Sequence, residues 1–294
     1  MKIIQDNTEN LSKVSLILGF FDGVHLGHQK VIESAITFAK ENLSKTVLVT
    51  FKNSPQEFFK KDCNYIFSRE DSYKLIEKLG VDYILEKDFS AISTQSAEDY
   101  LKQLIKDFSP ISISTGFNHT FGYKKQGDAK FLENNQLKYN YKYFCIPPIN
   151  LDKDFISSST IKKELEEGNI KQANLLLGSP FSLTSTVIKG KQIGRTLGFP
   201  TANLLYPEKI VKIPYGVYKV RVLDMPAVLN WGIKPTFDSN SEVLEVHIPN
   251  YNGDLYGKSL NIIFLDKIRN EIKFDSTKNL EVQIKKDIKT CLEL

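Results

Sequence analysis

Two short stretches of the chain hold residue types whose spacing suits chemistry on phosphate. The first reads Gly19-Phe20-Phe21-Asp22-Gly23-Val24-His25-Leu26-Gly27-His28. Its glycines allow a tight turn and a close approach of backbone to ligand. If the stretch opens a helix, the free N–H groups and partial positive charge of that end attract a phosphate. Gly19, Phe20, Asp22, Gly23 and Gly27 then belong to the phosphate-binding turn. His25 and His28 lie three apart and can donate hydrogen bonds to triphosphate oxygens and to charge growing on an α-phosphorus. Histidines also ligate metals, but no third ligand at suitable spacing accompanies this pair. For a single histidine, capping the helix is the plainer role.

The second stretch, residues 190–203, reads Gly-Lys-Gln-Ile-Gly-Arg-Thr-Leu-Gly-Phe-Pro-Thr-Ala-Asn. Gly190, Gly194 and Gly198 make a flexible loop whose amides, with Arg195 among them, can cover a nucleotide phosphate tail. No Gly-Lys-Ser/Thr opens a helix here, so this is not a Walker loop. Pro200 stiffens the backbone before Thr201. Thr201 and Asn203 lie two apart and in an extended segment point the same way. Their oxygens are hard donors of the kind Mg²⁺ takes beside ATP oxygens. A bare Thr-x-Asn is more often a turn, but the whole string is too specific for that. Downstream, Val243-Leu244-Glu245-Val246-His247-Ile248 alternates. Leu244, Val246 and Ile248 share one face, and Glu245 and His247 the other. A strand glutamate is usually a surface residue. Placed among site residues, Glu245 can orient and deprotonate an alcohol that attacks a γ-phosphorus. The spacing alone reaches two sites for ATP phosphates.

Alternating elements must position the first stretch. Apolar runs at 14–18, 46–51, 82–86 and 111–115 predict buried strands, and 28–41, 69–79 and 96–107 predict helices. That order predicts a Rossmann-like α/β domain with a parallel sheet, whose ligands bind at the carboxyl ends of the strands. Residues 157–176 predict two short helices, capped by Ser157–Ser159 and separated by Gly168. After Gly178-Ser179-Pro180 helices vanish. Strand-like runs at 183–189, 216–223, 226–230, 243–248 and 259–265, set apart by glycine and proline, predict a compact β-barrel. Ser276 caps a closing helix with Leu280, Ile284, Ile288 and Cys291 as its inward stripe. The domain boundary falls near residue 180, giving 1–180 and 181–294.

Composition narrows the classes. With 41% hydrophobic residues in 294, each half can bury a core. The net charge of +4 comes from interspersed lysines and carboxylates, without a basic helix face, which argues against nucleic-acid binding. No apolar run approaches membrane-spanning length and no signal-peptide core is evident, so the expected location is the cytoplasm and no membrane partner is expected. Cys63, Cys145 and Cys291 form no CxxC pair, which argues against a disulfide framework or structural zinc. Cys145 and Cys291 are expected to pack as small hydrophobes.

The His-x-Gly-His turn resembles that of the HxGH nucleotidyltransferases, and specifically of bacterial bifunctional riboflavin kinase/FAD synthetases. The resemblance extends over residues 10–178 through Gly116-Phe117-Asn118-His119-Thr120-Phe121-Gly122, Gly127-Asp128 and Ile156-Ser157-Ser158-Ser159-Thr160-Ile161-Lys162. It implies transfer of AMP from ATP to FMN with release of pyrophosphate, and it adds Asn118, Ser158, Ser159 and Lys162 to the nucleotide-binding residues. Thr120 stands where the family usually has Arg. Lys162 stands in place of another Arg, and Phe51-Lys52-Asn53-Ser54-Pro55 in place of a Glu-Pro-His-Pro run.

Over residues 182–290 the chain is similar to the riboflavin kinase module of the same family. The matching strings are the 190–203 segment, Pro214-Tyr215-Gly216-Val217-Tyr218, Asn230-Trp231-Gly232-Ile233-Lys234-Pro235-Thr236-Phe237 and Asp254-Leu255-Tyr256-Gly257. This implies Mg-ATP phosphorylating the terminal ribityl hydroxyl of riboflavin. Thr201 and Asn203 then hold metal and nucleotide, and Glu245 acts as base. The small-molecule partners implied are riboflavin, FMN and ATP. The departures at Thr120 and Lys162 leave a second version open, in which only the kinase is active.

Overall fold

A computed structural model describes residues 1–59, 63–151, 154–190, 198–235 and 240–293. Contacts within the chain divide it into two compact units: residues 1–63 with 69–157, and residues 64–68 with 158–294.

The first unit is a parallel sheet with helices on both faces. Its strands are β1 (Lys2–Ile4), β2 (Ser15–Leu18), β3 (Thr46–Phe51), β4 (Tyr83–Lys87), β5 (Ser112–Gly116) and β6 (Lys142–Ile146). They lie in the order β1-β4-β3-β2-β5-β6. Strand alternation sorts the core into two layers. Leu16, Leu18, Val49 and Leu85 pack with Leu101, Leu104 and Phe108 of α5 (Ala97–Phe108) and Leu132 of α6 (Ala129–Tyr139). Ile17, Leu48 and Ile84 pack with Ile32 and Ala35 of α1 (Leu26–Glu41) and Ile76 of α3 (Arg69–Leu79). Burial on both faces explains why these strands read as unbroken apolar runs. Two single-turn helices, α2 (Pro55–Phe58) and α4 (Phe89–Ile92), follow β3 and β4. After β6 comes a small hairpin, β7 (Asn150–Leu151) with β8 (Asp154–Phe155).

The second unit opens with α7 (Ser158–Glu167) and α8 (Ile170–Leu177), with Gly168 between them at φ +82°. Its body is a closed antiparallel barrel of β9 (Ser182–Ile188), β10 (Ala202–Leu204), β11 (Gly216–Val222), β12 (Met225–Pro235), β13 (Asn240–His247) and β14 (Ser259–Asn270). The order around it is β10-β13-β12-β11-β14-β9. Tyr218, Leu229, Trp231, Leu244, Ile262 and Phe264 are each at most 1% exposed and fill the interior. The side chain of Asn174 on α8 donates to Phe264 O at 2.9 Å and accepts from Phe181 N at 2.7 Å, fixing that helix to the barrel.

A pentapeptide from far upstream, residues 64–68, belongs to this unit. Tyr65 N donates to Lys209 O at 2.7 Å and Val211 N donates to Tyr65 O at 2.8 Å. Ile66 and Phe67 are buried, and Phe67 stacks on Phe181.

The terminal helix α9 (Thr277–Leu292) is capped by Ser276, whose side chain accepts from Asn279 N. Its Ile288 and Cys291 pack on Val217 and Val228 of the barrel's outer face. Asp287 also faces inward, 2% exposed, and is gripped by Arg269 at 2.8–3.1 Å. Cys291 is buried as expected, but Cys145 is exposed. It lies on β6, the sheet's edge strand.

Candidate functional site

The first phosphate-directed turn leaves the carboxyl end of β2, and the Gly116–Gly122 loop leaves that of β5. The chain runs from β2 to β3 and β4 on one side of the sheet and from β5 to β6 on the other. The order therefore reverses between β2 and β5, where a parallel sheet opens a crevice for ligands.

Backbone strain shapes the first turn. Gly23 is at φ +87°, and Val24, 1% exposed, is at φ +43°, a region a β-branched residue rarely enters. Gln29 Nε2 braces it by donating to Val24 O at 2.9 Å. His25 then serves as N-cap of α1, its Nδ1 accepting from His28 N at 3.3 Å. A neutral imidazole that accepts at Nδ1 carries its proton on Nε2. His25 thus takes the capping role, with its proton on Nε2.

His28 stacks on His25, with ring centroids 3.7 Å apart and planes at 17°, and meets Phe21 edge-on at 5.2 Å. A Cβ on Gly27 would come within 3.1 Å of His25 Cε1, so this glycine makes room for the cap. Burial pushes the His25 pKa down to about 4. His28 is held well below the usual value, first by burial and then by His25 beside it. At neutral pH both rings are uncharged hydrogen-bond donors. His28 Nδ1 is buried with no protein partner.

In the neighbouring loop Asn118 and Thr120 are exposed while His119 turns inward and stacks on Phe121. Phe121 bridges to Gly127 through a reciprocal pair of 2.9 Å backbone bonds. Gly122 is at φ +72°, and a Cβ there would lie 2.6 Å from Ala97 N, so only glycine fits. Ser158, Ser159 and Lys162 open α7, which falls in the second compact unit.

His119 supplies a measurable pH dependence. Its Nε2 is buried without a partner, and burial pushes its pKa down to about 4. The unfolded chain, with a histidine pKa near ~6.5, then binds more protons than the folded chain between those values. Stability attributable to this residue is complete above about pH 6.5 and falls as pH drops towards about 4. His119→Phe should stabilise the protein, and the gain should be larger at pH 5 than at pH 7.5 by about 1–2 kcal/mol. Denaturant melts at the two pH values read it. An equal gain at both would remove His119 as the titrating group.

The second site takes shape from strand register. Asn203 of β10 stands opposite Glu245 of β13, and Glu245 stands opposite Asn230 of β12. Opposed residues share a face with Cβ atoms about 5 Å apart, so Asn203, Glu245 and Asn230 form one polar row on the barrel's outer side. Leu244, Val246 and Ile248 of the same strand are buried, as their alternation predicts. Thr201 lies just before β10, and Gly198 is exposed at φ +82°. A Cβ on Gly190 would come within 2.4 Å of Asn203 Nδ2, so the glycine gives that carboxamide its place. Gly194 and Arg195 lie outside the described residues. A cavity of about 430 Å³ opens at this end of the barrel, lined among others by Thr201, Ala202, Val246, Tyr251, Asp254 and Tyr256.

No cluster of three or more His, Cys, Asp or Glu suited to a metal occurs among the described residues. A hydroxyl and a carboxamide at Thr201 and Asn203, with the Glu245 carboxylate opposite, still form a sparse oxygen set. Mg²⁺ favours such a set because it keeps several waters and takes phosphate oxygens. No local pattern marks Asn230 as a site residue, because only cross-strand register puts it beside Glu245.

Known proteins match this two-part build. A FAD synthetase family model matches residues 7–160, and a riboflavin kinase model matches residues 177–294. A protein described as bifunctional riboflavin kinase/FMN adenylyltransferase from Buchnera aphidicola (Schizaphis graminum) is 36% identical over 98% of this chain and 97% of its own. A protein of the same description from Bacillus subtilis is 33% identical over 95% and 92%. A solved structure titled a macrolide-efflux protein from Streptococcus pneumoniae superposes with a TM-score of 0.89 over 99% of this chain and 98% of that one, at 30% identity. Among the described residues no helix is long and apolar enough to cross a membrane.

Proposed function

Since the chain belongs to the bifunctional riboflavin kinase/FMN adenylyltransferase family, we infer that it phosphorylates riboflavin to FMN and then adenylylates FMN to FAD. Both family models in this order on one chain carry the reading. They favour it over the version in which only the kinase works.

In the adenylyl step an FMN phosphate oxygen attacks the α-phosphorus of ATP in line, and pyrophosphate leaves. No covalent enzyme intermediate forms, so the protein's work is positioning and charge stabilisation. His25 donates from Nε2, and His28, neutral beside it, donates to the oxygens that gain charge. Asn118 contributes a further phosphate contact, and the family resemblance assigns phosphate binding to Ser158, Ser159 and Lys162 as well. The aromatic patch at the carboxyl ends of β3 and β4 is suited to the flavin ring. There Phe89 meets Phe51 and Phe58 at 5.4 Å and Phe59 at 6.1 Å, with Phe58 and Phe59 still 44% and 63% exposed. Flat apolar rings left open to water favour a flat partner.

In the kinase step Glu245 takes the proton of the terminal ribityl hydroxyl as its oxygen attacks the γ-phosphorus, and ADP leaves. Thr201 and Asn203 hold the phosphate tail, and the barrel-end cavity takes the nucleoside. Thr201 and Asn203 would hold a Mg²⁺ ion, whose charge would offset that of the phosphates. By chemistry the modules divide at residue 180, as 1–180 and 181–294. A cytoplasmic location is part of the proposal.

The deciding experiment incubates the protein with riboflavin, ATP and Mg²⁺ and separates flavins by chromatography. FMN should accumulate first and FAD follow. FMN without FAD after long incubation would remove the adenylyl half, and no FMN would remove the kinase half.

A further inference from the structure

Backbone pairing between β10 and β13 ends at Ala202↔Val246. Thr201 lies one residue beyond, where a strand end is free to fray. A side chain closes the gap. His247 Nδ1 lies 2.9 Å from Pro200 O, and its ring meets Phe199 edge-on at 5.8 Å and 85°. A carbonyl oxygen only accepts, so Nδ1 carries the proton and donates. Pro200 has no N–H to offer a neighbouring strand, which leaves this carbonyl as its one backbone handle. Thr201 is therefore held from both sides, by the ladder at Ala202 and by the imidazole at Pro200. His247 stands two residues from Glu245 on the same face of β13, so one strand presents the proposed base and the tie that registers the phosphate-binding threonine against it.

We propose that His247 is a positioning residue of the kinase reaction, which acts by tying the Pro200–Thr201 segment to the strand that carries Glu245. This rests on the kinase reading of the barrel given above. The tie fixes where the phosphate tail of ATP binds, before any proton moves. Its loss should raise the KM for Mg-ATP far more than it lowers kcat. A neutral hydrogen bond contributes about 1 kcal/mol, so the expected rise is about 5- to 10-fold.

The test compares wild type with His247→Ala and His247→Asn, since asparagine places a side-chain N–H close to where Nδ1 sits. Three readings are taken on each full-length protein: steady-state riboflavin phosphorylation, the calorimetric Kd for ADP with Mg²⁺, and thermal unfolding. The Ala variant should show the raised KM and Kd with an unchanged riboflavin KM, and the Asn variant should recover most of the loss. If the Ala variant binds nucleotide as wild type does, or if Asn restores nothing although both variants melt like wild type, the tie has no such role. The ADP Kd ratios judge the tie even in a protein that turns nothing over, whereas wild-type turnover alone judges the kinase reading.

Discussion

Glu245→Gln should lower riboflavin phosphorylation by about 10²–10⁴-fold, the range a positioned general base supplies. It should leave FAD formation from added FMN unchanged. Glutamine keeps the shape of the side chain and a polar tip in the row between Asn203 and Asn230, so the barrel surface is little disturbed. What is lost is the basic oxygen that accepts a proton as the ribityl oxygen bonds to phosphorus. The loss should therefore fall on kcat, with the KM for Mg-ATP changed far less, the reverse of the pattern set out for His247. Side-by-side assays of the two half-reactions on one preparation decide it. A Gln variant that makes FMN within a few-fold of the wild-type rate would show that Glu245 takes no proton, and its place in the row would be structural.

The mirror image is expected at the first site. His28→Ala should cut FAD formation from FMN by about 10²–10³-fold, the cost of removing one donor aimed at developing negative charge. Riboflavin phosphorylation should proceed as before. His28 is a cleaner target than His25, whose Nδ1 also caps α1, so that its removal combines a catalytic loss with about 0.5–2 kcal/mol of helix stability. Both rings are neutral at physiological pH, because a pKa of about 4 for His25 leaves it uncharged there. The adenylyl rate should therefore show no histidine inflection between about pH 6 and 8 in the free enzyme. A His28→Ala protein with undiminished FAD synthesis would place the stabilising donors elsewhere in the crevice between β2 and β5.

Much of this was legible in the residues themselves. The strands β2 and β3 and the helices α1 and α3 follow from apolar runs and 3.6-residue spacing, because burial on one or both faces imposes those patterns. The cap at Ser276 and the break at Gly168 follow from residue chemistry alone. The elements between Gly116 and Ser157 did not announce themselves. In α6 only Leu132 is buried, and β6 is an edge strand with no fully buried residue, so neither carries a continuous apolar signal. At the first site the motif located the histidines. That His25 caps the helix through Nδ1 and so carries its proton on Nε2 depends on a side-chain bond that only coordinates reveal. At the second site the alternation of Leu244, Val246 and Ile248 gave the orientation of Glu245. Asn230 and the His247–Pro200 contact arise from strands brought together across long stretches of chain, and no local pattern encodes them.

Residues 64–68 have a consequence for how this polypeptide can be taken apart. A single cut between the two chemistries does not yield two whole pieces. The barrel half would leave behind Tyr65, Ile66 and Phe67, opening the backbone of Lys209 and Val211 and baring one side of Phe181. The other half would carry Ile66 and Phe67 with nothing to cover. Exchange of modules between relatives by one crossover meets the same mismatch, so the upstream pentapeptide and the barrel that receives it must change together.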